Sequence, residues 1–337
     1  MKKNKKVSFI VIAYNAGDKL KSLMNDIRNQ KYNHKLIEII LVDSNSSDNT
    51  KEVMNEFRMS DNDFANIKVL DNPKKILPTG WNIALNEASG DIILRVDAHS
   101  SLPEDFIEKN VKYISKGEKV VGGHRISIID ENSAWQKVLL AAEKSLFGSG
   151  IASYRRSEEA KYVSTLAHAA YSKEIFDEVG NYDERLARTE DNEMHYRMKE
   201  KGYKFYFNPE IVSYHHARNE FKKMCRQKYL NGYWIGLTMG VSPKCFSVYH
   251  FAPLAFVLSL IVSILLAIFM SVKLPLILLS SAYALVVLLI SIVEIIKSKF
   301  MIQMITLPFI LFSLHVSYGV GTLVGLIKLP FWLKNKV

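Results

Sequence analysis

Asp97 and His99 flank Ala98 directly after an apolar run, Ile92–Val96. Residues two apart in an extended segment point the same way, so this carboxylate and imidazole can share one divalent cation. Asn15 and Asp43 likewise follow apolar runs, Val7–Ala13 and Ile37–Val42. Three polar side chains at the ends of three apolar runs are hard to attribute to packing. Farther along, Glu190-Asp191 precedes a helical stretch, Asn192–Lys201. Taken alone, that pair reads as an N-cap with acidic first-turn residues, where the helix dipole favours negative charge. His215-His216 reads as a solvated pair at a strand end. His168 lies between Ala167 and Ala169 and either lines a binding site or satisfies a buried polar contact. Arg155-Arg156 suits a phosphate group, and equally an exposed loop.

These residues need a scaffold. Val7–Ala13 is continuous and apolar, as a strand buried on both faces is. Lys19–Gln30 has helical spacing, with Leu20, Leu23, Met24 and Ile27 on one side. Strand Ile37–Val42 ends on Asp43, and the polar loop from Asp43 to Thr50 opens the helix Lys51–Arg58. Ile67–Leu70 is a third strand, Thr79–Ala88 a helix, and Ile92–Val96 a fourth strand ending on Asp97. This alternation over residues 7–214 predicts an α/β domain with a Rossmann-like, mostly parallel sheet. Ligands of such sheets sit beyond the carboxyl ends of the strands, where Asn15, Asp43 and Asp97 fall. Trp135–Phe147 reads as an amphipathic helix suited to packing.

The net charge of +10 first suggests nucleic acid or an anionic membrane as a partner. Its distribution decides between them. Residues 7–214 hold 28 basic and 32 acidic side chains, so the largest globular part is acidic. The excess lies in four Lys within residues 1–6, in a band at 215–245, and around the apolar C-terminal third. A nucleic-acid-binding domain carries its basic patch on the folded unit itself, so no nucleic acid is expected. Two cysteines, Cys225 and Cys245, make no disulfide framework and suit a reducing compartment.

From Phe246 to Leu329 the only charged residues are Lys273, Glu294, Lys297, Lys299 and Lys328. Phe251–Met270 and Leu274–Ile296 are each long enough to cross a hydrocarbon core of roughly 30 Å. Met301–Ile327 is a third, softer run containing His315, Tyr318 and three glycines. The positive-inside rule puts the Lys297/Lys299 loop, and with it the N-terminal domain, on the cytoplasmic side. Tyr229–Val241 is too short to span and suits an interfacial helix. The preceding Arg218, Lys222, Lys223, Arg226 and Lys228 would touch an anionic leaflet. Three segments result: a catalytic domain at 1–215, a basic interfacial helical segment at 216–245, and a transmembrane region of about three helices at 246–337.

Several ordered motifs over roughly residues 7–215 resemble the family 2 glycosyltransferases of the GT-A fold. Val7–Asn15, with Tyr14-Asn15, is similar to that family's first strand and nucleotide-contacting turn. Ile39–Asp43 with Ser46-Ser47-Asp48-Asn49-Thr50 resembles its V-D-x-S-x-D-x-T segment, whose first Asp binds the base of the sugar nucleotide. Gly80–Gly90, with Asn82 and Ala84, is a degenerate version of its Gly- and Ala-rich helix, and Asp91 matches the Asp that follows. Asp97-Ala98-His99 occupies the D-x-D slot, and Thr189-Glu190-Asp191-Asn192-Glu193 with Arg197 resembles the E-D-x-[DE] segment. Arg95–His99, Phe147–Gly150, Tyr154-Arg155 and the three apolar runs are closest to the succinoglycan-type exopolysaccharide glucosyltransferases. The chain departs from the pattern in ending the D-x-D slot on His99 and in lacking Q-x-x-R-W, which argues against processive polymerisation.

The resemblance implies a nucleotide-diphosphate sugar donor bound through Tyr14, Asn15, Asp43, Asp48, Asn82 and Asp91. It implies a divalent cation, Mn or Mg, on Asp97 and His99, and Asp191 as catalytic base, and it offers His215-His216 as candidates for a third cation ligand. Glu190, His168 and Arg155 are candidates for the acceptor site. One base and no evident nucleophile fit an inverting displacement. The expected activity is transfer of a sugar to a lipid-linked saccharide in cell-surface or exopolysaccharide synthesis, by a multi-pass protein of the cytoplasmic membrane. A polyprenyl-phosphate sugar synthase and a non-catalytic nucleotide-sugar-binding scaffold are the alternatives.

Overall fold

Seven consecutive buried residues make β1 (Val7–Ala13), and seven more make β2 (Ile37–Asp43). A computed structural model of the chain describes residues 5–60, 63–129, 133–145, 157–298 and 301–334. Two compact units emerge: Met1–Ser127 with Ser153–His216, and Ile128–Ala152 with Ala217–Val337.

In the first unit, β1 pairs in parallel with β2 and with β4 (Ile92–Asp97), and β2 with β3 (Asn66–Asp71). The crossovers are α1 (Gly17–Arg28), α2 (Thr50–Ser60) and α3 (Leu77–Glu87), the last with Pro78 in its first turn, where a missing N–H costs nothing. Leu20, Leu23, Met24 and Ile27 face the sheet and join Phe9, Val11, Ile39 and Leu41 in the core. Register sets Ala13 beside Asp43 and Ile12 beside Asp97, so three strands end at one level. That alignment brings the three polar ends together.

Beyond β4 the sheet turns antiparallel, which gives it a mixed character that the strand-helix alternation did not reveal. The order runs β3-β2-β1-β4-β8-β6-β9-β5, with β7 on β9. Here β5 is Ser100–Ser101, β6 Val120–Ile128, β7 Lys161–Val163, β8 Ala170–Ser172 and β9 Phe205–His216. Around them lie α4 (Phe106–Ile114), α6 (Glu174–Val179) and α7 (Glu190–Glu200). Helix α7 begins two residues earlier than its sequence pattern suggests, so Asp191 belongs to its first turn.

The second unit holds α5 (Ala134–Lys144), α8 (Phe221–Thr238), α9 (Ala252–Phe269), α10 (Leu274–Lys297) and α11 (Leu307–Lys334). Three segments, Val248–Phe269, Leu274–Lys297 and Ile302–Lys334, are long and apolar enough to cross a membrane. Helix α11 extends past the apolar run, because Leu329 and Leu333 pack at Gly240 and Trp332 meets Trp234. Helix α8 incorporates the basic band, and its Lys222, Lys223 and Arg226 are exposed. Its other side touches α11 backbone to backbone. A Cβ on Gly232 would fall 2.1 Å from the Tyr318 carbonyl oxygen, and one on Gly321 2.1 Å from that of Tyr229. Small residues four apart permit such an approach. Val138, Leu139 and Ala142 of α5 close on Leu307, Ile310, Leu311 and Leu314 of α11.

At the far edge of the sheet from the polar ends, Glu38 is buried in β2 and joins three segments. It accepts from Ser8 Oγ, from Gly90 N at 2.9 Å, and from both N and Oγ of Ser89. Burial works against the charge, but the four hydrogen bonds outweigh it and lower the Glu38 pKa. The stabilisation is therefore complete above the ordinary glutamate range and is lost as pH falls through the depressed folded value. Glu38→Gln is expected to cost about 1–3 kcal/mol at neutral pH and to flatten the acid loss of melting temperature. A variant that melts like the wild type across the pH series would refute this.

Candidate active site

The loops after β1 and β2 are built as one piece. Asn15 adopts φ 47°, a left-handed conformation that asparagine tolerates. Its N–H donates to Ser46 Oγ at 3.0 Å, and its Oδ1 accepts from Ser47 N at 2.8 Å. Asp43 is buried and accepts from Ser46 N through both oxygens. Asp48 accepts from Thr50 N at 3.0 Å and from Gly17 N at 3.3 Å. Burial raises its pKa, and the bonds from Thr50 and Gly17 lower it further than burial lifts it. Tyr14 projects from this edge, 56% exposed.

Next to these loops, Asp97, His99 and His215 each offer a ligand atom, all within 4.8 Å of one another. His215 arrives because β9 pairs antiparallel with β5, setting it opposite Ser100. Its Nδ1 is buried without a hydrogen-bond partner. One carboxylate and two imidazoles can share a divalent cation, and the orphaned nitrogen fits a missing ligand bond. His168 Nε2 lies 3.1 Å from Asp97 Oδ2 and Arg125 Nη2 lies 3.2 Å from the same oxygen. Burial raises the Asp97 pKa, but His168 and Arg125 more than offset it and hold the carboxyl well below its usual range. Burial lowers His99 and His215, which keeps both imidazoles neutral and able to ligate. His168 itself sits at φ 51°, a strained conformation for a non-glycine residue. Hydrogen bonds to Ser213 Oγ at 2.9 Å and Ser100 Oγ at 3.3 Å hold it there.

A second polar cluster centres on Asp191. Arg95 reaches it from β4 with both guanidinium ends, Nη1 to Oδ1 and Nη2 to Oδ2, the latter at 3.0 Å. The guanidinium lies over the Trp81 ring, 4.4 Å from its centroid, and donates to Tyr182 OH at 3.2 Å. Arg95 is buried, whereas the Asp191 side chain keeps 39% of its surface open. Glu190 is buried, with Oε2 unpartnered, and burial together with the Asp191 charge raises its pKa. One turn on, His195 bonds Thr165 Oγ1 through Nδ1 and Tyr171 OH through Nε2, both at 2.9 Å. Burial lowers its pKa to about 4, so it is neutral.

A family model described as glycosyl transferase family 2 matches residues 8–180, just over half of the chain. The chain belongs to glycosyltransferase family 2. Succinoglycan biosynthesis protein ExoA of Rhizobium meliloti (strain 1021) is 29% identical to this glycosyltransferase over 154 residues, 44% of this chain and 46% of that protein. The chain thus matches less than half the length of that relative. Dolichyl N-acetyl-alpha-D-glucosaminyl phosphate 3-beta-D-2,3-diacetamido-2,3-dideoxy-beta-D-glucuronosyltransferase of Methanococcus voltae is 26% identical over 273 residues, 79% of this chain and 80% of that one. Mannosyltransferase PcManGT from Pyrobaculum calidifontis, solved in complex with GDP-Man and Mn²⁺, superposes with a TM-score of 0.58 at 16% identity. That superposition covers 93% of this chain and 87% of the other, and it shows a shared GT-A fold.

The glycosyltransferase gathers Tyr14, Asn15, Asp43 and Asp48 at one loop pair, and Asp97, His99 and His215 within 4.8 Å of one another. It does not bring every expected residue to this edge. Asn82 turns onto the backbone of Tyr182, accepting from its N–H and donating to its carbonyl, both at 2.9 Å. Asp91 accepts from Lys6 N at the amino end of β4, roughly 20 Å of strand from Asp97 at 3.3 Å per residue. His168 contacts Asp97 from within the core. Arg155, Arg156, Tyr154 and the Phe147–Gly150 motif lie outside the described residues. Arg95, Arg125, Trp81 and Tyr182 carry contacts that no motif assigned. For Arg95 a signal existed, since alternation puts Arg95, Asp97 and His99 on one face of an extended segment. Arg95→Met is expected to slow transfer about 100-fold by freeing the Asp191 carboxylate, with little change in donor KM. A variant with wild-type kcat would refute the clamp.

Proposed function

We propose that this glycosyltransferase moves one sugar from a nucleotide-diphosphate sugar to a lipid-linked saccharide, with inversion at the anomeric carbon and Asp191 as base. The observation that carries the reading is a carboxylate clamped on one side by Arg95 yet open on the other, within a GT-A fold whose adjacent strand end carries a cation-type cluster. The acceptor oxygen attacks the anomeric carbon while its proton passes to Asp191. The bond to the diphosphate breaks on the opposite face, so a single displacement inverts the centre. Asp97, His99 and His215 would hold Mn²⁺ or Mg²⁺, which supplies charge neutralisation to the departing diphosphate. Tyr14, Asn15 and Asp43 take the nucleoside end of the donor.

The acceptor class is supported by the three long apolar helices and by a relative whose name contains a dolichyl-phosphate-linked sugar. A lipid-linked chain is met at a bilayer surface. Lys222, Lys223 and Arg226 on α8 are exposed and suit an anionic leaflet, with the catalytic unit on the cytoplasmic side. The product would then enter a cell-surface or exopolysaccharide.

Asp191→Asn is expected to lower transfer by about 10²–10⁴ while leaving donor affinity intact; full activity in that variant would overturn the base assignment. EDTA should abolish transfer and Mn²⁺ restore it, whereas activity in EDTA removes the cation role of Asp97, His99 and His215. Intact-mass analysis of products from nucleotide sugars and extracted lipids identifies the acceptor. An extended lipid-linked oligosaccharide supports the reading, and bare polyprenyl phosphate plus one hexose replaces it with a polyprenyl-phosphate sugar synthase.

A further inference from the structure

We infer that Arg125 binds the diphosphate of the nucleotide donor, forming with the Asp97–His99–His215 group a single anion subsite; the inference rests on the donor class proposed above. Arg125 lies on β6 and meets Asp97 across 28 residues of sequence. Its one carboxylate contact is a single bond from Nη2 to Oδ2 at 3.2 Å, longer than the 2.7–2.9 Å usual for charge-assisted pairs. Its Nε is buried with no hydrogen-bond partner, and its side chain is only 14% exposed.

Two other guanidinia of this unit, the buried Arg95 and the half-buried Arg197, are treated differently. Arg95 grips both oxygens of Asp191 and adds Tyr182. Arg197 grips both oxygens of Glu193 and adds the carbonyls of Val179 and Asn181. A guanidinium is charged at every working pH and carries five donors, so leaving it under-bonded in a buried position is costly. If Arg125 served only to neutralise Asp97, a two-pronged pair like that of Arg95 would serve better. The unpartnered Nε points to an anionic partner.

Charge limits that partner to an anion of about two charges. Both His168 and Arg125 contact Oδ2 of Asp97, and neither contact uses Oδ1. A divalent cation and Arg125 together exceed the single Asp97 carboxylate by two positive charges. A diphosphate diester brings two negative charges, with oxygens spaced for a planar fork. A nucleoside monophosphate carries about the same charge, so the diphosphate is favoured because two linked phosphoryl groups can meet the cation and the guanidinium fork together. Arg125 therefore shares the leaving group with the cation and leaves the nucleoside to the Asn15 and Asp43 loops.

The test uses the full chain in detergent with Mn²⁺, measuring calorimetrically the binding of UDP, GDP and dTDP and of the matching monophosphates. Arg125→Gln is expected to weaken the preferred diphosphate by about tenfold or more, near 1.4 kcal/mol, and the monophosphate by less than about twofold. Mn²⁺ binding, read by electron paramagnetic resonance, should persist. Arg125→Lys keeps the charge without the fork, should fall between, and serves if the glutamine variant misfolds. Undiminished diphosphate affinity in both variants, or equal loss of mono- and diphosphate, overturns the inference alone. A wild-type protein that binds neither Mn²⁺ nor any nucleoside diphosphate overturns the donor reading and the inference with it.

Discussion

A guanidinium pinned between an indole and a carboxylate ties the central strand β4 to helix α7. Arg95 cannot remain buried without an ionic partner, and Asp191 is the partner the fold supplies. The clamp is itself braced. Asn82 holds the backbone of Tyr182 at two points, and Tyr182 holds Arg95. His195, four residues after Asp191 on the same helix, adds a second polar attachment through Tyr171 and Thr165. A rotation of α7 would break both attachments at once. The carboxylate that faces outward is therefore fixed by residues that face inward, a support that a preorganised site requires.

The two polar clusters divide their tasks by charge. The Asp97 group concentrates neutral imidazoles and one carboxylate beside Arg125, whereas the Asp191 group sets one carboxylate on Arg95 with the buried Glu190 carboxyl next to it. Both hang on β4, one through Asp97 at its last position and one through Arg95 two residues before. The excess of basic residues over the whole chain has little to do with either. It lies in the Lys-rich start, in the band that opens α8, and among the flanks of the apolar helices.

Much of the parallel half of the sheet was legible because local rules determine it. Val7–Ala13 and Ile37–Val42 are unbroken apolar runs, and the polar residue that stops each strand marks the ligand edge. The Asp97-x-His99 pair was legible for the same reason. The antiparallel half was not, since β5, β7 and β8 are two or three residues long and no periodicity shows in so short a segment. His215 stood open between ligand and solvated residue, and only the pairing of β9 with β5 brings it beside Asp97 and His99. Arg125 and Tyr182 lie 28 and 87 residues from the side chains they meet, and long-range contacts leave no mark in spacing. Asn82 and Asp91 matched a motif pattern, yet their surroundings differ: one braces Tyr182 and the other the chain start at Lys6.

Helix α11 also imposes an order in time. The glycine side of α8 and the apolar side of α5 both close on it, although α9 and α10 intervene in the chain. During synthesis from the N-terminus, residues 134–144 and 221–238 emerge long before the surface they cover. Helix α5 cannot reach its final packing until Leu314 has been made, nor α8 until Gly325 has. The third apolar segment is thus the one that covers both, and a chain that stops short of it leaves two earlier helices with unmatched faces.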